Sequence, residues 1–121
     1  MFSIGADFGT LAVRALIVET ETGREIAWAT RNYPHGVMTD TLPDGTILPP
    51  EWALQHPMDY LECLREVLRE VMEKAGISAR EVIGLGIDFT ASTSLPIDAE
   101  GNALCMQDRF ASNPYACLTE K

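Results

Sequence analysis

The chain has 121 residues, enough for one domain with a buried core, and 46% of them are hydrophobic, as in globular proteins. Its net charge of −9 argues against nucleic acid and anionic membranes as partners, because both attract basic surfaces. We expect neither a signal peptide nor a membrane span, because the first residues show no basic leader with an apolar core and no apolar run reaches roughly 18 residues. Three widely spaced cysteines and only two histidines favour thiols in a reducing cytoplasm over a zinc site.

The first fifty residues carry the signature of β-structure. Phe2 to Phe8 and Val13 to Glu19 are apolar runs, and we expect them to form antiparallel strands joined by the turn Asp7-Phe8-Gly9-Thr10. A second turn at Thr20 to Gly23 leads into a third strand over Arg24 to Tyr33. The chain is therefore predicted to open with an antiparallel meander.

The first turn has the composition of a phosphate-binding site. Gly9 has no side chain, so backbone there can approach a ligand closely, and successive amides in such a turn suit phosphate oxygens. Asp7 suits a hydrated Mg²⁺ ion, which prefers one or two carboxylates together with waters and substrate phosphates. Thr10 can hydrogen-bond a phosphate oxygen, and Arg14 would add positive charge. An ordinary glycine-containing hairpin turn remains the alternative for so short a pattern.

A long loop and one helix follow the meander. Residues 34–55 contain four prolines and two glycines, which predicts a loop with a short hairpin at Asp44-Gly45 and a structural role at the surface. Apolar residues then recur at helical spacing from Pro57, which suits a first helical turn, to Gly76, which ends the helix. We expect this amphipathic helix to pack against the sheet.

The second half of the chain contains one long apolar segment. Ser78 to Glu81 form a capping box ahead of Val82 to Phe89, a nearly continuous apolar run that predicts a strand buried on both faces. The small hydroxyl residues Thr90 to Ser94 follow the carboxyl end of this strand, where open α/β sheets bind ligands; a plain polar loop is the alternative. Residues 95–97 and 103–105 are expected to form a further hairpin.

The predicted order β-β-β-α-β with a hairpin is that of the first half of an RNase H-like domain. Together with the Asp-x-Gly-Thr turn, it resembles the actin, sugar-kinase and heat-shock-chaperone superfamily. Within that superfamily the chain resembles the FGGY carbohydrate kinases, and among them the L-ribulokinase branch. The matching segments are Ile4 to Thr10, Tyr33 to Val37, Leu48 to Pro57 and Gly84 to Thr93. The resemblance implies an α/β, RNase H-like N-terminal domain that is incomplete.

The resemblance also implies ATP and Mg²⁺ as cofactors at the first turn. Asp7 matches the family carboxylate in the Mg²⁺ shell, and Gly9 and Thr10 match the turn that holds the ATP phosphates. Arg14 matches an arginine that lies near the nucleotide in glycerol kinase-like members. Residues 11–13 replace hydroxyl-rich family residues, so nucleotide contacts there would come from the backbone alone.

The sugar contacts and the reaction follow from the same resemblance. Thr90, Ala91 and Ser92 match the loop that touches the sugar, and their small side chains would leave room for a ketopentose. The implied reaction transfers the ATP γ-phosphoryl group to the terminal hydroxyl of L-ribulose, in L-arabinose catabolism. The family's Asp general base belongs to a second lobe, and no residue here matches it. We therefore expect residues 1–121 to be a partial N-terminal lobe that is inactive alone.

Two other classes of function stay open at this stage. One is a nucleotide-binding or assembly module of the actin or chaperone type, without sugar kinase activity. The other is a structural RNase H-like domain whose first turn resembles a nucleotide site by chance. The ribulokinase-like segments favour the kinase, and the sequence leaves open whether the protein is a homo-oligomer.

Overall fold

The computed structural model describes residues 1–119, so the last two residues of the predicted lobe lie outside the described part. The chain forms two compact units, one of residues 1–33 and 60–90 and the other of residues 34–59 and those from 91 onward. The elements in chain order are β1 (Phe2–Phe8), β2 (Ala12–Glu19), β3 (Glu25–Asn32), β4 (Leu54–Gln55), α1 (Pro57–Ala75), β5 (Val82–Phe89) and β6 (Leu118–Thr119). Short 3₁₀ turns span Ala79–Glu81, Leu104–Met106, Asp108–Phe110 and Pro114–Ala116. No helix within residues 1–119 is long and apolar enough to cross a membrane.

The first unit is a four-stranded sheet in the order β3-β2-β1-β5. β1 pairs antiparallel with β2, and β2 pairs antiparallel with β3, which confirms the predicted meander. β1 pairs in parallel with β5, as expected for two strands joined by a crossover helix. The sheet therefore has the strand directions of the predicted RNase H-like half-domain.

The core of the first unit lies between one face of the sheet and α1. Alternate residues of β1 point into it, and Tyr60 of the helix stacks on Phe8 and Tyr33 with ring centroids 5.4 and 5.0 Å away. The buried cluster comprises Ile4, Ala6, Phe8, Val13, Ala15, Ile17, Ala29, Tyr33, Cys63, Val67 and Val71. α1 ends where predicted, because Gly76 adopts a φ of 65° and its amide donates to the Met72 carbonyl.

β5 corrects one expectation from the sequence. The run was expected to be buried on both faces, but every residue from Ile83 to Phe89 is exposed, with Phe89 at 68%. The reason is its position: β5 is the edge strand of the sheet, and within residues 1–119 it pairs only with β1. The buried cluster beneath α1 draws on the other three strands, and only Val82 of β5 packs against it. The apolar composition therefore predicted correctly that residues 82–89 form a strand, but not that this strand is exposed.

The second unit has little regular structure. Its two strands, β4 and β6, are two residues long and pair antiparallel with each other. The predicted hairpin at Asp44-Gly45 is confirmed, since a bridge joins Thr41 to Ile47 and the Gly45 amide donates to the Leu42 carbonyl at 2.9 Å. A separate apolar cluster holds the unit together; its buried members are Met38, Leu42, Leu48, Leu54, Cys105, Ala116 and Cys117.

The second predicted hairpin is only partly correct. Residues 95–97 and 103–105 were expected to pair as strands, but the pairing is reduced to one bridge between Ile97 and Ala103. The Leu104 amide still donates across the hairpin to the Pro96 carbonyl at 3.0 Å, but the second arm then turns into the 3₁₀ segment Leu104–Met106. A ladder cannot continue where one of its strands becomes helical.

Candidate functional site

Asp7 and Arg14 form an ion pair on the face of the sheet that α1 does not cover. They lie directly opposite each other on β1 and β2, and Arg14 Nη1 is 3.0 Å from Asp7 Oδ2. Both side chains are more than half exposed, so the pair contributes at most about 1 kcal/mol to stability. A weak pair of this kind orients the carboxylate and still leaves it accessible to a ligand. Gly5 and Trp28 line a shallow groove beside the pair.

A second carboxylate stands next to Asp7. Asp88 of β5 is the in-register partner of Asp7 across the parallel strand pair, so the two side chains share a face of the sheet. Asp88 Oδ1 accepts the Phe89 amide at 2.9 Å, and the residue is exposed. Sequence reasoning missed Asp88, although β1 and β5 both carry the pair Asp-Phe at their ends. Parallel strands with the same terminal pair bring the two carboxylates together.

The turn after β1 is closed by its own backbone. The Gly9 amide donates to the Ala12 carbonyl at 2.9 Å, so this amide has a partner within the turn. A Cβ added at Gly9 would lie 3.3 Å from the Ala12 oxygen, which is a tight contact. Gly9 therefore serves the turn through its missing side chain. Thr10, half-buried, follows it at the carboxyl end of β1.

The predicted sugar loop begins at the same edge of the sheet. Phe89 is the in-register partner of Phe8, so Thr90 leaves β5 at the edge where Gly9 leaves β1. Ala91 and Ser92 belong to the second unit, and both are exposed. Ser92 has a φ of 66°, a left-handed conformation that costs a non-glycine residue roughly 1–2 kcal/mol. Strain of this kind concentrates at ligand sites and switch regions.

A carboxylate fixes the turn that follows the loop. Asp98 accepts the amides of Asn102 at 2.8 Å and Glu100 at 3.1 Å, and its second oxygen accepts the Gln107 side chain at 2.9 Å. These hydrogen bonds, with Asn102 foremost, hold the pKa of the Asp98 carboxyl below its ordinary value. The charged form of Asp98 thus organises the turn through donated N–H bonds.

Comparisons with known proteins match this chain to carbohydrate kinases, in sequence and in fold. Residues 2–110 match the N-terminal domain of the FGGY family of carbohydrate kinases. The chain is 51% identical to a ribulokinase of Shouchella clausii and 47% identical to one of Geobacillus thermodenitrificans, over 95% of its own length in each case. It spans only 21% and 20% of those relatives. A xylulose kinase structure from Brucella ovis shares the fold, with a TM-score of 0.69 at 20% identity over 84% of this chain and 19% of that one.

Proposed function

Because this chain belongs to the FGGY family of carbohydrate kinases, we propose that the protein containing it transfers the γ-phosphoryl group of ATP to the terminal hydroxyl of L-ribulose. The observation that carries the substrate choice is the similarity to ribulokinases over 95% of the chain, at 51% identity for the Shouchella clausii protein. Its thiols, none of them in a disulfide within the described residues, fit a reducing cytoplasm.

The chain supplies one part of that kinase. It spans about a fifth of the relatives, and no residue of it matches the family's general base, so we propose that residues 1–121 are part of the N-terminal lobe. Phosphoryl transfer depends on positioning and on stabilising charge from both sides of the reacting groups. One side of a cleft cannot provide that, and the isolated chain should form no ADP when L-ribulose is added.

The two carboxylates at the sheet edge suit a Mg²⁺ ion. Asp7 and Asp88 are exposed neighbours on one face, and Mg²⁺ prefers hard oxygen ligands from one or two carboxylates. When bound, Mg²⁺ would neutralise charge that develops on the ATP phosphates. Arg14 already pairs with Asp7 Oδ2, so a Mg²⁺ ion held by that carboxylate would compete with the ion pair. Released from Asp7, the guanidinium is free to pair with a phosphate.

The turn after β1 and the loop after β5 have separate roles in this proposal: the turn binds phosphate, and the loop binds sugar. Gly9 lets phosphate oxygens approach the backbone, and the Thr10 hydroxyl hydrogen-bonds one of them. Thr90 and Ser92 offer hydroxyls to the hydroxyl groups of the sugar, and Ala91 leaves space for its carbon chain. A site that hydrogen-bonds a substrate hydroxyl rejects an analogue that lacks it, because its own polar groups are then left unpaired.

The test is ADP release by the full-length gene product with Mg-ATP and a panel of L-ribulose, D-ribulose, xylulose and glycerol. The proposal predicts a kcat/KM that is highest for L-ribulose. A higher value for another sugar would retain the kinase and overturn the substrate. No sugar-dependent ADP release with any of them would overturn the kinase and favour the nucleotide-binding module.

A further inference from the structure

The structure gathers the two histidines of the chain around a buried carboxylate. His35, His56 and Asp59 all belong to the second unit, and their ligating atoms lie within 4.8 Å of one another. His35 Nδ1 is 2.7 Å from Asp59 Oδ1, and His56 Nδ1 is 3.9 Å from the same oxygen. The Asp59 side chain is only 3% exposed. None of the three belongs to the residues proposed for ATP or sugar.

The backbone holds this cluster in place. The second oxygen of Asp59 accepts the His35 amide at 2.9 Å, and the Asp59 amide donates to the His56 carbonyl at 3.1 Å. The two imidazole rings stack with centroids 4.3 Å apart. Groups fixed in this way lose little conformational freedom when they bind a ligand. His35 also lines an open groove with Met38 and Thr39, which gives the cluster access to solvent.

The donor set favours a transition metal. Two imidazole nitrogens and one carboxylate oxygen are the ligand types of zinc sites with three protein ligands and an open fourth position. Mg²⁺ and Ca²⁺ prefer sites made of oxygen alone. Tetrahedral ligands about 2.0–2.1 Å from zinc stand about 3.3 Å apart. The two separations from Asp59 Oδ1, 2.7 and 3.9 Å, lie on either side of that value, and all ligating atoms lie within 4.8 Å, so one ion could be bound after rotation of the stacked imidazole rings.

We propose that His35, His56 and Asp59 bind one divalent transition-metal ion of the zinc type, with water in the fourth position. The ion would link the segment that begins at His35 to the first turn of α1, which contains Asp59. The proposal is independent of the proposed kinase activity.

The test titrates the full-length gene product, freed of metal by a chelator, with Zn²⁺ in excess Mg²⁺, followed by calorimetry. The wild type is expected to bind Zn²⁺. The double variant H35Q/H56Q is expected to bind it with an affinity at least tenfold lower. D40N is the matched control, since it removes an exposed carboxylate beside the same groove and should leave the affinity unchanged. Far-UV circular dichroism checks that each variant folds.

Co²⁺ replaces Zn²⁺ in a second measurement that identifies the ligands. The proposal predicts the visible absorption of a tetrahedral or five-coordinate Co²⁺ site without the near-ultraviolet band of thiolate ligation. H35Q alone, at a partly exposed position, should weaken that visible band if the double variant fails to fold. No Zn²⁺ binding by the wild type, equal binding by wild type and H35Q, or a thiolate band would each overturn the proposal.

Discussion

The two units of this chain are built in different ways. The first has strands of seven or eight residues and α1 from Tyr60 onward, and backbone ladders and one apolar core define it. The second has two-residue strands, isolated bridges and short 3₁₀ turns around a smaller cluster. Its turns are closed by local backbone bonds and also by side chains: Asp44 accepts the Thr46 amide, and Asn113 accepts the Tyr115 amide. Regular ladders stabilise the first unit, whereas local backbone bonds and side-chain contacts stabilise the second.

This difference predicts where single changes act most strongly. Leu54 is 1% exposed in the second unit, where few regular backbone bonds compensate for lost packing. L54A should cost about 2–5 kcal/mol, the usual range for a buried leucine. Hydrogen exchange in the full-length protein should show the lost protection across the second unit, while β1 and β2 stay protected.

I47A is the control for that change, because Ile47 is in the same unit and 80% exposed. It should alter stability by no more than about 0.5 kcal/mol. Equal effects of L54A and I47A, or loss of protection in β1 and β2 alone, would contradict the division into two units.

The next largest effect concerns the strained loop residue Ser92. S92A removes the hydroxyl and keeps a side chain in the left-handed conformation, whereas S92G removes the hydroxyl and suits a φ of 66°. Both variants should raise the KM for L-ribulose by about 2–10-fold, the value of one hydrogen bond. S92G should be the more stable of the two. Wild-type KM values in both variants would remove Ser92 from the sugar site.

The smallest expected effect is on pH dependence. The folded-state pKa of Asp98 is lowered by hydrogen bonds, foremost from Asn102, so its stabilising effect is present above the unfolded value near 3.9 and is lost as the pH falls further. D98N should therefore be less stable than the wild type at pH 7, and the difference should shrink below about pH 4. Acid titrations followed by circular dichroism measure this. A difference that stays constant from pH 7 to pH 3 would contradict the account.

The sequence predicts the first unit better than the second, because long strands and helices carry a periodic apolar pattern and two-residue strands do not. Periodic apolar residues gave β1, β2, β3 and α1, because local pattern and burial agree there. The exposure of β5 could not be predicted, since burial depends on which elements lie beside a strand. The pairing of β4 with β6 was also missed, because two residues carry no periodic signal.

The residues of the candidate site also fall into two groups: those in a local sequence motif, and those that only the fold brings together. Asp7, Gly9 and Thr10 stand in one short motif, so the sequence alone was enough to propose them as a site. Asp88 lies 81 positions after Asp7, and only the parallel register brings the two carboxylates together. The histidine cluster likewise depends on how a proline-rich segment folds back, which no local pattern encodes.

The central claim is that the carboxylate at the end of β1 serves a sugar kinase, and one measurement tests it most directly. L-ribulose-dependent ADP release is compared for the full-length wild type, D7N and E21Q, where Glu21 is an exposed carboxylate in the turn after β2. The account predicts that D7N lowers kcat/KM by about 100-fold or more, as expected for losing a metal ligand worth several kcal/mol, while E21Q matches the wild type. D7N with wild-type turnover and an intact fold would contradict it.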